Sequence, residues 1–426
     1  MTGRLLPIAA LILTSLIWQV PAQCDPSAIA AMDWPYWRGP DRNGIADPNQ
    51  SPPTEWSDNQ NVLWKQPVPG RGHASPTVVG NRIFLSTADE EKEIQSVLCY
   101  DRETGQPLWK TDIHEGGFAF EGRQGHARSS MASSTIASDG ERVFASFVNG
   151  NAIYTTALDL QGEICWREKV TDFVNHQGFG SSPTVYGPLV LVSADHKGGG
   201  VLTGFDRLTG NTVWSAERAP LPNYASPIVL EIDGTDQLVM TGLDQISSYE
   251  PLTGRLNWEV AGATVECVTS VVTNGTHVVT SGGYPESHIS VIRANESGET
   301  VWRNETRVYV PSMLVHDDHI FGVTDDGTAF CHDFESGAPL WEHRLRGKFS
   351  ASPILVGDNI YATDGKGTTT IFKADSTEFV LVGQNTISAI DVQATLAICD
   401  SRIYMRLTQE ETGQRQEMLV CIAVSE

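Results

Sequence analysis

Residues 97–109, VLCYDRETGQPLW, decide the fold of this chain because their pattern recurs. A short apolar strand leads into an Asp-x-x-Thr-Gly turn, and a second strand begins at Leu108 and Trp109. In such a turn Asp101 accepts hydrogen bonds from backbone amides, and Gly105 adopts a positive φ without steric cost. Several hairpins carry a glycine four residues before a tryptophan, and those tryptophans are Trp109, Trp166, Trp214, Trp258, Trp302 and Trp341. A repeat of about 40 to 50 residues is typical of a propeller or a solenoid.

Each hairpin is preceded by a second pair of short strands. In residues 74–87 (ASPTVVGNRIFLST), Gly80 and Asn81 form the turn between two apolar runs. Such pairs begin near Ala74, Ala132, Ser181, Ala225, Val268, Pro311, Ala351 and Gln393. Two strands and two more make a four-stranded antiparallel blade. Because a single blade is too small to bury its apolar face, neighbouring blades must stack in a ring.

The two ends of the chain predict how the ring closes. Trp64, in NVLWKQP, has the outer-strand pattern with no strands before it, whereas residues 393–424 hold three strands with no tryptophan hairpin after them. The outer strand before that last segment, around residues 379–382, lacks both the glycine and the tryptophan. The sequence therefore predicts an all-β, eight-bladed β-propeller of four-stranded antiparallel blades over residues 61–426, closed by N- and C-terminal strands that share one blade.

The first 22 residues predict a signal peptide. Arg4 precedes an apolar run over residues 5–18, and residues 20–22 (VPA) supply small side chains at a cleavage point. The run is short for a membrane span, so we expect no transmembrane segment in the mature chain. A lipid anchor at Cys24 is the alternative, which the neighbouring Gln23 disfavours. We expect an exported protein of the periplasm or the cell envelope.

The composition of the chain limits the kinds of partner that it can bind. The chain has 52 acidic and 29 basic side chains, and its net charge is −23. Charge of this sign repels phosphate, so we expect neither nucleic acid nor an anionic membrane as a partner. Of the seven cysteines, Cys99, Cys331 and Cys421 fall in the third strands of different blades, where we expect buried free thiols. The chain has no Cys-x-x-Cys motif for zinc or redox chemistry.

Residues 23–60 form an N-terminal arm that is rich in Pro, Asn and Asp and contains WPYWRGP at positions 34–40. Such a segment resists regular structure, but its aromatic residues can dock on the propeller. We expect an ordered arm that covers apolar surface, and a role at the substrate face is the alternative.

The Asp-x-x-Thr-Gly-x-x-x-Trp hairpin and the Ser-Pro-x-Val opening strand together resemble the pyrroloquinoline-quinone-type propeller repeat over about residues 60–424. This repeat occurs in quinoprotein alcohol dehydrogenases and in the propeller lipoprotein of the bacterial outer-membrane barrel-assembly machinery. The arm sequence WPYWRGPDRNGIA is similar to that of exported bacterial propellers common in planctomycetes. The resemblance implies the fold and leaves the activity open.

Dehydrogenases of that group stack the quinone on a disulfide between adjacent cysteines and bind Ca²⁺ beside it. No two cysteines are adjacent in this sequence. We therefore expect no cofactor, with pyrroloquinoline quinone and calcium as the alternative. We also expect no catalytic or metal-binding residue, because His316 and His319 flank an Asp-Asp turn between the first two strands of a blade, which is ordinary turn chemistry.

The mouth of the central channel is the expected binding site. In this repeat the outer strand of one blade leads into the innermost strand of the next, so the residues ahead of each opening strand gather at one mouth. They are His73, Arg128, His176, Tyr224, Glu266, Tyr309 and Lys348. The loops between second and third strands meet the same face, and they include residues 195–200, with His196, and residues 282–286.

One connection is longer than the others. The tryptophans at 109 and 166 are separated by 57 positions, against 44 for two neighbouring intervals, and the excess lies in residues 114–130. Long loops in compact folds are often functional. Because Phe118 and Phe120 stand beside Arg123 and His126, we predict a lid that contacts a partner.

The sequence leaves two functions open. The first is a non-catalytic exported scaffold that binds an envelope or secreted protein, or a small ligand at the channel mouth. The alternative is a pyrroloquinoline-quinone-dependent oxidoreductase resembling alcohol dehydrogenases.

Overall fold

The computed structural model describes residues 29–118 and 129–424, which form eight four-stranded antiparallel sheets. The predicted all-β, eight-bladed propeller is confirmed. Within these two ranges no helix is long and apolar enough to cross a membrane.

The strands follow one another blade by blade. Strand β1 (Val62–Val68) precedes blade 1, which comprises β2 (Thr77–Val79), β3 (Arg82–Asp89), β4 (Ile94–Asp101) and β5 (Pro107–Glu115). Blade 2 comprises β6 (Ala137–Ser138), β7 (Arg142–Asn149), β8 (Ala152–Asp159) and β9 (Ile164–Asp172). Blade 3 comprises β10 (Thr184–Tyr186), β11 (Leu189–Ala194), β12 (Gly200–Asp206) and β13 (Thr212–Arg218). Blade 4 comprises β14 (Ile228–Ile232), β15 (Thr235–Gly242), β16 (Gln245–Tyr249) and β17 (Leu256–Ala261).

The second half of the ring repeats this order. Blade 5 comprises β18 (Val272–Thr273), β19 (His277–Gly282), β20 (His288–Arg293) and β21 (Thr300–Asn304). Blade 6 comprises β22 (Leu314–His316), β23 (His319–Val323), β24 (Thr328–Asp333) and β25 (Pro339–Arg344). Blade 7 comprises β26 (Ile354–Val356), β27 (Asn359–Thr363), β28 (Thr368–Lys373) and β29 (Leu381–Thr386). Blade 8 comprises β30 (Ala397–Cys399), β31 (Arg402–Glu411), β32 (Gln414–Ile422) and β1.

Blade 8 closes the ring as predicted. Strand β1 pairs antiparallel with β32, and Trp64 stands opposite Cys421. The outer strand of blade 7 begins later than the expected 379–382, at Leu381. Phe379 lies before the strand, and its ring stacks on that of His343 in blade 6 at 3.9 Å between centroids.

The repeated Gly-x-x-x-Trp spacing joins neighbouring blades. Gly105 has a φ of +70°, and a Cβ on it would lie 2.6 Å from the indole of Trp64 in the preceding blade. The Trp64 indole Nε1 donates to the Arg102 carbonyl in the same turn, at 3.3 Å. The Trp109 indole makes the equivalent bond to the Leu160 carbonyl at 2.9 Å. Each tryptophan of these pairs therefore covers the glycine turn of the next blade.

A belt of hydroxyl groups lines the innermost strands. At seven of the eight junctions between blades, the backbone N–H at one position donates to the hydroxyl at the equivalent position of the next blade, at 2.9 to 3.0 Å. Among the described residues, the junction of blades 4 and 5 is the exception, because the Ser270 hydroxyl accepts from the Trp37 indole instead. The belt residues are Ser75, Thr135, Ser182, Ser226, Ser270, Ser312, Ser352 and Thr395. The Thr395 N–H donates to the Ser75 hydroxyl, so the belt runs across the seam.

The arm packs across one end of the channel. Trp34 exchanges backbone hydrogen bonds with Val78 of β2, and the Arg38 guanidinium donates to the Met313 carbonyl ahead of β22 at 2.5 Å. The Trp37 indole donates to the hydroxyl of the belt residue Ser270, ahead of blade 5, at 3.0 Å. The arm therefore ties together blades that are distant in sequence.

The arm then leaves the channel between blades 7 and 8. The Ala46 N–H donates to the Leu355 carbonyl in β26, and the Trp56 ring stacks on Tyr361 of β27 at 6.5 Å between centroids. Asp58 accepts a hydrogen bond from the Ser388 hydroxyl at 2.6 Å just before β1 begins. From residue 29 onward, the arm therefore docks on the propeller through ring contacts and hydrogen bonds.

Candidate binding site at the channel mouth

The two ends of the channel differ in structure. The arm covers the end formed by the turns between first and second strands, where the Gly80 N–H donates to Asp33 at 3.1 Å. The other end, which we call the mouth, is formed by the segments ahead of the innermost strands and by the loops between second and third strands. The mouth is therefore the end that the arm leaves uncovered.

Glu266 lies at the centre of four predicted site residues that the structure brings together at the mouth. Its side chain is 5% exposed, and its carboxylate accepts hydrogen bonds from His176 Nε2 at 3.2 Å and from Gln177 Nε2 at 3.4 Å. His176 lies in the segment ahead of blade 3, and Glu266 lies in the segment ahead of blade 5. The contact therefore joins two segments that are not neighbours in the ring. We call Glu266, His176, Gln177, Tyr224 and Tyr309 the mouth cluster.

Two phenols complete the mouth cluster. Burial raises the pKa of Tyr309 to about 12, and the negative charge of Glu266 adds to the effect. Burial and the same carboxylate also raise the pKa of Tyr224. The Tyr224 hydroxyl is buried and has no hydrogen-bond partner within residues 29–118 and 129–424. Both phenols therefore remain protonated at neutral pH.

Asp325 and Arg307 extend the cluster on the blade 6 side, and sequence reasoning missed both. Asp325 follows β23 and accepts a hydrogen bond from the Tyr309 backbone N–H at 2.8 Å, while burial raises the pKa of its carboxyl group. The Arg307 guanidinium lies 5.4 Å from the Tyr309 ring centroid and donates to the Gly283 carbonyl at 2.8 Å. The loop over residues 282–286 therefore meets this side of the mouth, as expected.

A buried network holds the backbone beneath the mouth cluster. Arg218 Nε donates to Asp195 at 2.7 Å, and both side chains are almost completely buried. Asp195 in turn accepts from the Asn223 amide at 3.0 Å, and the Asn223 amide oxygen accepts from the Cys267 N–H at 3.1 Å. Because Asn223 and Cys267 adjoin Tyr224 and Glu266 in the chain, this network fixes the spacing of those two side chains.

The network was not found from sequence, although a signal existed. Residues 195–200 stand out as a loop of the mouth face, and Asp195 begins it. Its partner Arg218 is the last residue of β13, where the sequence shows only an outer strand. Pairing the two requires the relative positions of β11, β13 and the next blade, which no local pattern contains.

His73 lies apart from the mouth cluster, at the junction of blades 8 and 1. Burial and the nearby Arg71 lower the pKa of His73 to about 4. It borders a cavity of about 10 Å³ that is also lined by Arg406 and Glu417. Arg406 Nη2 and Glu417 Oε2 are 2.6 Å apart and almost fully buried. This volume suits about one water molecule, so the junction is closely packed.

Lys348 and His196, two further predicted site residues, are not part of the mouth cluster. Lys348 is exposed, and its carbonyl accepts from the Gly365 N–H at 2.8 Å. The His196 Nδ1 accepts from the backbone N–H groups of Val174 and Gly198, so this ring supports its own loop. The tentative residues Arg123, His126 and Arg128 lie outside the described residues.

The predicted lid begins later than residue 114. His114 and Glu115 are the last residues of β5, and the His114 ring packs 5.1 Å from that of Tyr154 in blade 2. Phe118 is half-buried against the core between blades 1 and 2. The segment in which we predict a lid therefore starts after Glu115, because residues 114 and 115 belong to β5.

The cysteines and the candidate metal ligands lie in separate parts of the propeller. Cys99, Cys331 and Cys421 are buried free thiols in different blades, as predicted, and burial raises the pKa of each to about 12. Outside residues 1–28, 119–128 and 425–426, no group of three or more His, Cys, Asp or Glu side chains is placed to hold a metal ion. His316 and His319 lie at the turn between β22 and β23, as expected.

Comparison with known proteins identifies the family. The family described as outer membrane protein assembly factor BamB matches residues 93–284 and 285–378, which is more than half of the chain. The chain belongs to this family. One relative, the outer membrane protein assembly factor BamB of Burkholderia pseudomallei (strain K96243), is 25% identical over 345 residues that cover 77% of this chain and 80% of that protein.

Solved structures share the fold. The BamB family structure from Moraxella catarrhalis superposes with a TM-score of 0.59 at 15% identity, covering 84% of this chain and 96% of that one. A europium-containing methanol dehydrogenase superposes with a TM-score of 0.66 at 12% identity, covering 93% of this chain and 99% of that one. At such identities the likeness concerns the propeller and not its chemistry.

Proposed function

We propose that this chain is an exported, non-catalytic β-propeller of the cell envelope that binds a protein partner through the mouth face. The observation that carries the proposal is the match to the BamB family over both halves of the propeller. Relatives in that family are named as outer membrane protein assembly factors, which is a role in an assembly of proteins. The proposal assigns no cofactor to the chain.

The structure supports the mouth as the binding face. The arm occupies the opposite end, whereas at the mouth Tyr284 is 57% exposed in the loop between β19 and β20. An exposed aromatic residue beside partly buried polar groups is a common feature of protein interfaces. The network under the mouth cluster gives this face a fixed shape before binding, which lowers the entropic cost of association.

Site-specific photo-crosslinking in the cell tests the proposal. A photoreactive residue replaces Tyr284 at the mouth, and the matched control carries it in place of Asp317, whose side chain is 85% exposed in the turn between β22 and β23 at the arm end. We expect an adduct with an envelope protein from the mouth position and none from the control. Adducts at both positions, only at the control, or at neither would contradict the proposal.

A further inference from the structure

We propose that the mouth cluster binds a primary ammonium group on an aliphatic stem, with the Glu266 carboxylate as its counter-ion and the phenols of Tyr224 and Tyr309 around it. This inference deepens the proposed function and rests on it for the biological source of the amine. The binding of the ammonium group depends only on the residues of the mouth cluster.

The first argument is the buried charge of Glu266. Buried carboxylates are normally paired with a cation, because burial without one is costly. Within residues 29–118 and 129–424, neither lysine nor arginine forms an ion pair with Glu266, and the ionisable side chain that contacts its carboxylate is His176, which carries a charge only when it is protonated. His176 and Gln177 each donate one hydrogen bond to it. A carboxylate accepts about four hydrogen bonds, so Glu266 retains acceptor capacity for a donor.

The second argument is the Tyr224 hydroxyl. It is buried and has no hydrogen-bond partner within residues 29–118 and 129–424, and the charge of Glu266 is strong enough at this position to raise the pKa of the phenol. An ammonium group has three N–H donors and no acceptor. It can therefore donate to the carboxylate of Glu266 and to the oxygen of Tyr224 at the same time, which satisfies both groups.

The third argument is the aromatic surround. Phenol rings attract cations through their negative faces, and ammonium groups are commonly recognised in this way. The molecule already places one cation on this surface, because the Arg307 guanidinium lies over the Tyr309 ring. Tyr224, Tyr309 and His176 are only partly buried, so the carboxylate lies one layer of side chains below the surface of the mouth.

The charge of the whole chain acts in the same direction. A net charge of −23 attracts cationic ligands towards the surface and repels anionic ones. Asp325 adds a second carboxyl group on the Tyr309 side. These features favour an ammonium ligand over a carboxylate or a phosphate.

Calorimetric titration of the purified chain with n-butylammonium chloride tests the inference. We expect saturable binding by the wild type and a loss of affinity of about tenfold or more in Glu266→Gln, which keeps the shape and removes the charge. The matched control Glu342→Gln alters an exposed glutamate of β25 and should bind as the wild type does. Tyr224→Phe should bind several-fold more weakly. It removes a hydroxyl that has no hydrogen-bond partner among the described residues, so its folding should be unaffected.

Absence of saturable binding by the wild type would overturn the inference, and so would equal affinities of the wild type and Tyr224→Phe or Glu266→Gln. A second titration with N-acetyl-lysine-N-methylamide separates the sources of the amine. Tighter binding of this probe than of n-butylammonium would indicate a lysine side chain of a polypeptide, whereas equal or weaker binding would indicate a small amine. Because the titration contains no partner protein, its failure would leave crosslinking at Tyr284 unaffected.

Discussion

The glycines of the repeated hairpins are subject to two separate constraints. Gly105 has a φ of +70°, which L side chains adopt only at a cost, and the indole of Trp64 fills the space where a Cβ would stand. Gly80 has a φ of +54° but has open space around that position. A substitution at Gly80 therefore meets backbone strain alone, whereas a substitution at Gly105 meets both backbone strain and the indole of the preceding blade.

Alanine substitutions at these two positions should differ. Gly80→Ala should lower the free energy of unfolding by about 1 kcal/mol through backbone strain alone. Gly105→Ala should cost about 1–3 kcal/mol more, because the indole of Trp64 must also move. Urea denaturation followed by tryptophan fluorescence measures both. Equal losses in the two variants would show that the packing of Trp64 on the turn contributes nothing.

At the scale of elements, the hydroxyl belt links the innermost strands independently of the blades' own sheets. The Ser270 N–H donates to the Ser312 hydroxyl, and the Ser312 N–H donates to the Ser352 hydroxyl, each at 2.9 Å. The arm joins the belt at Ser270, whose hydroxyl accepts from Trp37. The short inner strands thus gain lateral hydrogen bonds that compensate for their lengths of two to five residues.

Removal of one belt hydroxyl should destabilise the ring. In Ser312→Ala the buried N–H of Ser270 loses its acceptor, which should lower the free energy of unfolding by about 1–3 kcal/mol. Ser312→Thr retains a hydroxyl, and threonine occupies the belt at Thr135 and Thr395. The free energy of unfolding of this variant should therefore fall much less than that of Ser312→Ala. Chemical denaturation of both variants is the measurement. Equal stability of the alanine variant and the wild type would refute a stabilising role for the belt.

At the scale of the whole molecule, the two ends of the propeller differ in what covers them. The arm closes one end with apolar and hydrogen-bonding contacts to blades on opposite sides, including Trp34 with Val78 and Trp37 with Ser270. The mouth keeps partly exposed polar side chains above a buried network. A closed ring that is covered at one end offers a partner or a ligand a single axial approach, and this asymmetry is why both proposals concern the mouth.

Acid should destabilise the whole ring before most carboxylates are protonated. Burial lowers the pKa of both His73 and His288 from 6.5 to about 4. The unfolded chain therefore binds more protons between these values, and the free energy of unfolding should fall as the pH is lowered from about 6.5 to about 4. His288→Gln, which cannot titrate, should reduce that slope in urea denaturation at several pH values. An unchanged slope would contradict a neutral buried His288.

The sequence by itself determined the blades, the seam and the hairpin chemistry. These features depend on local signals, since an Asp-x-x-Thr-Gly turn and the alternation of apolar strands need only neighbouring residues. It also placed His176, Tyr224, Glu266 and Tyr309 at the mouth, because the repeat fixes which end of a strand each segment adjoins.

Only the tertiary structure decided which of these residues meet. The contact between His176 and Glu266 joins residues 90 positions apart, and that between Trp37 and Ser270 joins residues 233 positions apart. Both depend on the diameter of the closed ring and on the path of the arm, which no short window of sequence encodes. For the same reason the sequence placed His73 and Lys348 at the mouth but could not show that they lie outside the cluster around Glu266.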